Sequence, residues 1–331
     1  MPTLMPTSVP RAALLLLLAS LPAIPVRAAD PVLVSVRRIW NDAPHNAFTD
    51  LARHRGEWFC VFREGGKHVS PDGALRVLVS ADGEQWTSAA RLASTHADLR
   101  DAKITVTPDG RLMLSGAGAL HPPSPVRHRS LAWFSEDGRR WSEPVVTGDD
   151  NQWLWRTTWH RGTAYSVGYD TAGGKFTRLY ASADGRAFRA LVPRLYDTGF
   201  PNEATLVFQP DDSVLCLLRR DGKPAPGLLG VAKPPYTNWA WKDLGVQVGG
   251  PHFLRLPDGR HLAAVRLYDA PVRTSLCWLD PQAGRLTECL KLPSGGDTSY
   301  AGLVWHEGLL WVSYYSSHEG RTSIYLAKVR L

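Results

Sequence analysis

Three arginines recur at one offset. Arg63, Arg219 and Arg266 each stand seven residues past the close of a tight turn, at Gly56, Asp212 and Gly259. The same offset from three further turns falls on Ala117, Tyr169 and Tyr315. A guanidinium is a fixed planar fork that matches a carboxylate in bidentate fashion. Three of them at one level therefore read as an anion pocket, or as structural bridges to acids such as Glu64, Asp101 and Glu203. The strands that lead into those turns begin with Thr49, Asp50, Asp101, Trp155, Glu203, His252 and Tyr300. Strand starts and the ends of their hairpin partners lie at the same end of a sheet. Guanidiniums, carboxylates and a tyrosine are thus expected at one mouth.

The elements that must position these residues are read from a repeat. Six turns look alike: His54-Arg55-Gly56, Pro108-Asp109-Gly110, His160-Arg161-Gly162, Pro210-Asp211-Asp212, Pro257-Asp258-Gly259 and His306-Glu307-Gly308. Each lies between two short apolar runs, and successive turns are 54, 52, 50, 47 and 49 residues apart. Hairpins at a long constant period suit the blades of a propeller, whereas a sandwich turns about every 8–12 residues with no superperiod. A second pattern, Ser-x-Asp-Gly-x-x-aromatic, follows the hairpins at Ser80 to Trp86, Ser135 to Trp141 and Ser182 to Phe188. Its Asp bonds the local backbone and its Gly accepts positive φ, which makes a tight turn between the third and fourth strands of a blade. Degenerate versions occur at Pro234 to Trp241 and Asp280 to Gly284. A lone strand at Val32 to Trp40 and a final one at Ser323 to Val329 are left over. The expected fold is all-β, a six-bladed β-propeller of four-stranded antiparallel blades spanning residues 30–331. The N-terminal strand joins the C-terminal blade and closes the ring, which removes open sheet edges.

The Ser-x-Asp-Gly-x-x-Trp turns resemble the Asp-boxes, or BNR repeats, of the sialidase-like superfamily, and the chain is identified as a divergent member of it. Asn202-Glu203-Ala204-Thr205-Leu206 through Leu217-Leu218-Arg219 resembles the family segment with a glutamate and a carboxylate-binding arginine. Ser299-Tyr300-Ala301-Gly302-Leu303 resembles the segment with the tyrosine nucleophile, and Arg266 stands where the family has another arginine. Phe48-Thr49-Asp50-Leu51 replaces the family's Phe/Tyr-Arg-Ile-Pro, so Thr49 stands at the position of the first arginine. Arg63, on the neighbouring strand, is positioned by register to take that role.

The resemblance implies an exo-glycosidase acting with retention on a terminal acidic sugar, sialic acid or a related nonulosonate. The carboxylate of such a sugar sits on the anomeric carbon and repels a carboxylate nucleophile, so a neutral phenol suits the attack. Tyr300 is the implied nucleophile. Glu203 takes its proton, because a phenol of ordinary pKa, about 10, attacks poorly. Asp72, in the loop Gly65 to Gly73, is the first candidate for the acid, and its Pro71-Asp72-Gly73 setting reads equally well as a plain turn. His68 and Asp101 are the alternative acids. Arg63, Arg219, Arg266, Asp101, His68 and Asp50 are the expected substrate-binding residues. Trp153, Trp155 and Tyr169 could stack on sugar faces or belong to the core. A glycosidase or lyase on another anionic sugar, such as a uronic acid, and a non-catalytic carbohydrate-binding propeller are the other readings.

The remaining features bound the setting. Arg11, the apolar run Ala12 to Leu21 and the small residues before Asp30 read as a cleavable signal peptide over residues 1–29, hence a secreted or periplasmic protein. That run is too short for a comfortable membrane span, and none follows it. The formal charge is +7 for 331 residues, and the removal of Arg11 and Arg27 leaves +5. There is no basic run of the kind that binds nucleic acid. A monomer with an acidic glycan as its partner is expected, with no cofactor and no metal. Cys277 and Cys289 flank a turn and could face each other across a hairpin, where export would allow a disulfide.

Overall fold

The computed structural model describes residues 1–3, 30–223 and 225–331. The expected signal segment therefore falls almost entirely outside the described residues. β1 (Val32–Trp40) precedes the first blade. Blade one is β2 (His45–His54), β3 (Glu57–Gly65), β4 (Ala74–Ser80) and β5 (Thr87–Leu92). Blade two is β6 (Ala97–Val106), β7 (Leu112–Leu120), β8 (His128–Ser135) and β9 (Val145–Thr147). Blade three is β10 (Gln152–His160), β11 (Thr163–Asp170), β12 (Thr177–Ser182) and β13 (Arg189–Tyr196). Blade four is β14 (Pro201–Phe208), β15 (Val214–Arg220), β16 (Leu228–Ala232) and β17 (Trp239–Asp243). Blade five is β18 (Val248–Arg255), β19 (His261–Leu267), β20 (Arg273–Asp280) and β21 (Arg285–Lys291). β22 (Thr298–His306), β23 (Leu309–Ser316) and β24 (Ser323–Arg330) form blade six with β1.

All six sheets have four strands, five in meander order and the sixth in the order β1-β24-β23-β22, and the strands within each sheet pair antiparallel. β1 lies on β24 with Val32 opposite Arg330 and Trp40 opposite Ile324, so the N-terminal strand closes the ring as expected. The six repeat turns join the first and second strands of each blade. Second strands such as β15 and β19 are almost continuously apolar and buried, because a blade packs a neighbour on both faces. Fourth strands such as β5 and β13 lie at the rim and are largely exposed. The core sits in the layers between blades, for example Phe59, Val77, Leu99 and Leu114 between blades one and two.

The Ser-x-Asp-Gly turns join third and fourth strands. In the first, Asp82 Oδ1 accepts from the amides of Glu84 and Gln85 at 2.7 and 2.9 Å, and Ser80 Oγ from that of Gly83 at 2.8 Å. Trp86 folds under the turn and donates from Nε1 to the Gly83 carbonyl at 3.1 Å. These turns are peripheral and hold the blades rather than the mouth. Cys277 and Cys289 are both free. A bulge places Glu288 opposite Cys277, and the Cys289 thiol donates to the Leu276 carbonyl at 3.3 Å. No helix among the described residues is long and apolar enough to cross a membrane.

Candidate active site

Each innermost strand breaks register a few residues from its start. The breaks fall at Ala47/Asp50, Arg100/Lys103, Leu154/Thr157, Pro201/Ala204, Gly249/His252 and Ser299/Gly302. A bulge inserts backbone that has no ladder partner and re-aims the side chain at that point. The inserted residues include Phe48, Asp101, Trp155, Glu203, Gly250 and Tyr300. Phe48, Asp101, Gly250 and Tyr300 have φ of 65°, 56°, 56° and 41°. The six blades thus carry a bulge at a corresponding place on their innermost strands. Side chains stitch them across blades: Thr49 Oγ1 donates to the Tyr300 carbonyl at 2.7 Å and Thr205 Oγ1 to that of Pro251 at 2.7 Å. Thr49, which stands where an arginine was expected, serves the backbone of its neighbour.

Tyr300 and Glu203 meet directly. The Tyr300 hydroxyl donates to Glu203 Oε1. Arg219 Nη1 lies 2.7 Å from the same oxygen and 3.3 Å from the Tyr300 hydroxyl. Glu203 Oε2 accepts from the Gly250 amide at 2.8 Å. Burial pushes the Glu203 carboxyl up, but the charge and hydrogen bonds of Arg219, with the Tyr300 bond, outweigh it and hold the group below its ordinary range. Burial and the Glu203 charge push the Tyr300 phenol well above its usual value, so at rest it is protonated. The Tyr300 ring packs between Phe48, at 5.2 Å between centroids, and Trp155, at 5.0 Å edge-on.

Arg266 closes the other side. Its Nε donates to the Thr298 carbonyl at 2.6 Å and its Nη2 to the Tyr315 hydroxyl at 2.9 Å, with the guanidinium 5.5 Å from the Tyr300 ring centre. Arg219 Nε is taken by Asp221 at 2.9 Å. Arg219 Nη2 and Arg266 Nη1 make no hydrogen bond among the described residues, and both side chains are 14% exposed. Each arginine therefore keeps one nitrogen for a ligand.

Asp101 and Lys103 face the same space from blade two. Asp101 is buried and its Oδ1 has no partner among the described residues. Burial raises its carboxyl above the ordinary value despite Lys103 and Arg100. Lys103 is 2% exposed. It donates only to the Ala102 carbonyl, at 3.1 Å, and its ammonium lies 4.7 Å from the Trp155 ring centre and 5.7 Å from that of Tyr300. Burial lowers Lys103 to about 8.

The other expected site residues make different contacts. Arg63 is 0% exposed and its guanidinium is saturated: Nε holds Asp98 at 2.9 Å, Nη1 the Lys67 carbonyl at 2.8 Å, and Nη2 the Ser70 carbonyl and hydroxyl at 3.1 Å. It is the fastener of the β3–β4 loop and not a third arm of an anion pocket. Asp72 caps the same loop, accepting from the Gly66 amide at 3.1 and 3.0 Å. It does not touch Tyr300 or Glu203, and the plain-turn reading describes it. Asp50 is fully buried, with Oδ2 on Arg156 Nη1 at 2.7 Å and on the Ile104 amide at 2.9 Å, so it is an internal counter-ion and not a ligand group. His68 Nδ1 meets Asp297 Oδ2 at 2.7 Å. Trp153 and Trp155 are buried with Ala117, and Tyr169 packs against them. Sequence reasoning missed Lys103, Arg156 and Asp297. Lys103 and Arg156 lie one or two positions past a bulge residue already singled out, so the strand starts carried a signal for them. Asp297 lies in a loop before β22, outside any repeat register.

The fold defines a class, the six-bladed β-propellers, and in this chain Glu203, Tyr300 and Arg219 meet in one hydrogen-bonded unit. Several solved structures share the fold. A protein of unknown function from Dyadobacter fermentans has 20% identity and a TM-score of 0.79, covering 93% of this chain and 100% of its own. A GH93 α-L-arabinofuranosidase of Fusarium graminearum in complex with arabinobiose has 14% identity and a TM-score of 0.69, over 90% and 98% of the two chains. Trypanosoma rangeli sialidase has 13% identity and a TM-score of 0.70, over 86% of this chain and 55% of its own, so this chain spans about half of that enzyme. No protein-family model and no curated protein matches the sequence.

Proposed function

We propose that the protein is a retaining exo-glycosidase acting on a terminal acidic sugar, sialic acid or a related nonulosonate, with Tyr300 as nucleophile. The observation that carries the reading is the Tyr300–Glu203–Arg219 hydrogen-bonded unit at the mouth. In the first step Tyr300 Oη attacks the anomeric carbon as its proton passes to Glu203. The glycosidic oxygen leaves with a proton from Asp101. Asp101 replaces Asp72 as the acid because it faces the mouth, is buried and is held towards its protonated form. In the second step water attacks the anomeric carbon, giving a proton to Asp101, and Tyr300 departs with the proton held by Glu203. Arg219 Nη2 and Arg266 Nη1 receive the sugar carboxylate. Support also comes from the electrostatics, since Arg219, Arg266 and Lys103 gather positive charge around an uncharged phenol. An anionic sugar fits that field, and a neutral nucleophile is not repelled by its carboxylate.

A neutral sugar is the second reading. Thr49 carries no charge and Arg63 is bound to Asp98 and its own loop, leaving two arginines where three were expected. The arabinofuranosidase of similar fold acts on a sugar without a carboxylate. The two readings are separated by release of a fluorogenic aryl group from an α-sialoside, α- and β-glucuronides and an α-L-arabinofuranoside, with wild type and Tyr300→Phe. Release from the sialoside, abolished in Tyr300→Phe, is expected. Release from the arabinofuranoside alone, or no release from any, overturns the acidic-sugar reading.

A further inference from the structure

Arg63 and Asp72 hold a loop, and the loop delivers His68. Arg63 fixes it at Lys67 and Ser70, and Asp72 ties its far end to Gly66. Gly73 leaves room for this fastening, because a Cβ there would sit 1.8 Å from Asp98 Oδ1 and 2.5 Å from Arg63 Nε. His68 is thereby set at the rim of the mouth beside two residues of other elements. His45 Nε2 lies 2.9 Å and His68 Nδ1 2.7 Å from one oxygen, Oδ2 of Asp297. All three donor atoms fall within 4.8 Å of one another. The cluster is built from three directions: the start of β2, the β3–β4 loop and the loop before β22.

We propose that His45, His68 and Asp297 bind a divalent transition-metal cation, zinc(II) first among them. Two imidazoles and a carboxylate with one side open form a ligand set suited to such ions. An ion about 2.0–2.1 Å from each donor holds them about 3.3 Å apart, so the two short contacts open by roughly half an ångström. The His68 side chain, half exposed, supplies that movement. The carboxylate is already oriented. Its Oδ1 accepts from the Tyr315 hydroxyl at 3.0 Å and faces Arg266 at 3.9 Å, and the Asp297 amide donates to Ser317 Oγ at 2.9 Å. Oδ2 is left for the ion. Such outer support is what fixes ligands at metal centres. The His45 ring packs on Phe48 at 6.1 Å, and its buried Nδ1 has no partner among the described residues. A missing outer partner costs about 10–100-fold in affinity, so binding weaker than at a fully supported site is expected. A bound ion adds two positive charges beside Arg266, on the side where an anionic ligand would enter.

The test is calorimetric titration of chelator-stripped, full-length protein with zinc chloride, paired with cobalt(II) absorption. One equivalent should bind, with visible bands of the intensity of a four-coordinate cobalt site. His68→Ala should weaken binding at least about tenfold, and Asp297→Asn should abolish it. His68 is exposed at the end of a fastened loop, so its variant decides the matter even if Asp297→Asn fails to fold. No saturable uptake by wild type, or uptake unchanged in His68→Ala, overturns the proposal. No substrate enters this experiment, so its result is independent of the glycosidase reading.

Discussion

Two carboxyls at the mouth are pushed in opposite directions. Arg219 and the Gly250 amide hold Glu203 ionised, whereas burial with an unpartnered oxygen keeps Asp101 inclined to its proton. Such divergence between neighbouring titratable groups separates a base from an acid. An acid matters only when the leaving group needs a proton. Asp101→Asn should therefore slow cleavage of a natural glycoside by about 10²–10⁴-fold and of a nitrophenyl glycoside far less, in a comparison of kcat/KM. Equal losses on both would remove Asp101 as the acid. The pH profile has a matching sign. Activity should fall in acid as Glu203 takes up a proton, below its ordinary carboxylate value. It should fall on the alkaline side as Asp101 loses its proton, above its own ordinary value. In Asp101→Asn the alkaline limb should move, and a limb that stays contradicts the assignment. The convergence of Tyr300, Glu203, Arg219 and Arg266 was legible because the two arginines share one offset from their repeat turns and Glu203 and Tyr300 stand at the starts of the strands that lead into such turns. Arg63 obeys the same offset yet turns away. Its choice was settled by the loop carbonyls of Lys67 and Ser70 and by Asp98, which come from outside the register.

At the scale of elements, the bulge is what converts a strand start into a site. A regular β14 would alternate its side chains strictly, and the bulge between Pro201 and Ala204 changes where Glu203 points. Nothing in the local sequence announces these bulges except where glycine permits one. Gly250 is such a place: its φ is +56°, and a Cβ there would lie 2.0 Å from Tyr300 Cδ1. Gly250→Ala should displace the Tyr300 ring and disturb the amide bonded to Glu203. We expect a stability loss of about 1–3 kcal/mol in urea unfolding and a larger proportional loss in kcat than in KM. A variant with wild-type kcat would show that the close approach does not position Tyr300. Asp50 illustrates the opposite failure of reading. It was expected to bind substrate, but Arg156, from the bulge of blade three, pairs with it at 2.7 Å and both are buried.

The whole ring depends on a strand far from the last blade in sequence. β1 pairs with β24 along most of its length and covers an edge that would otherwise be open. Removal of residues through Trp40 should lower the thermal midpoint and yield self-associating protein in size-exclusion chromatography. A truncated chain that remains monodisperse with an unchanged midpoint would contradict the closure argument. The ring was legible because six turns keep nearly one spacing and two strands remain at the ends. The mouth was legible only in part, because contacts between blades obey no sequence period. The central claim is that this ring exists to hold Tyr300 for attack. It is tested most directly by peptide mass spectrometry after treatment with difluorosialic acid, which traps a glycosyl-enzyme. The account predicts a sugar adduct on the peptide carrying Tyr300, absent in Tyr300→Phe. An adduct on Glu203 or Asp101, or sialoside hydrolysis with inversion and no adduct, would contradict it.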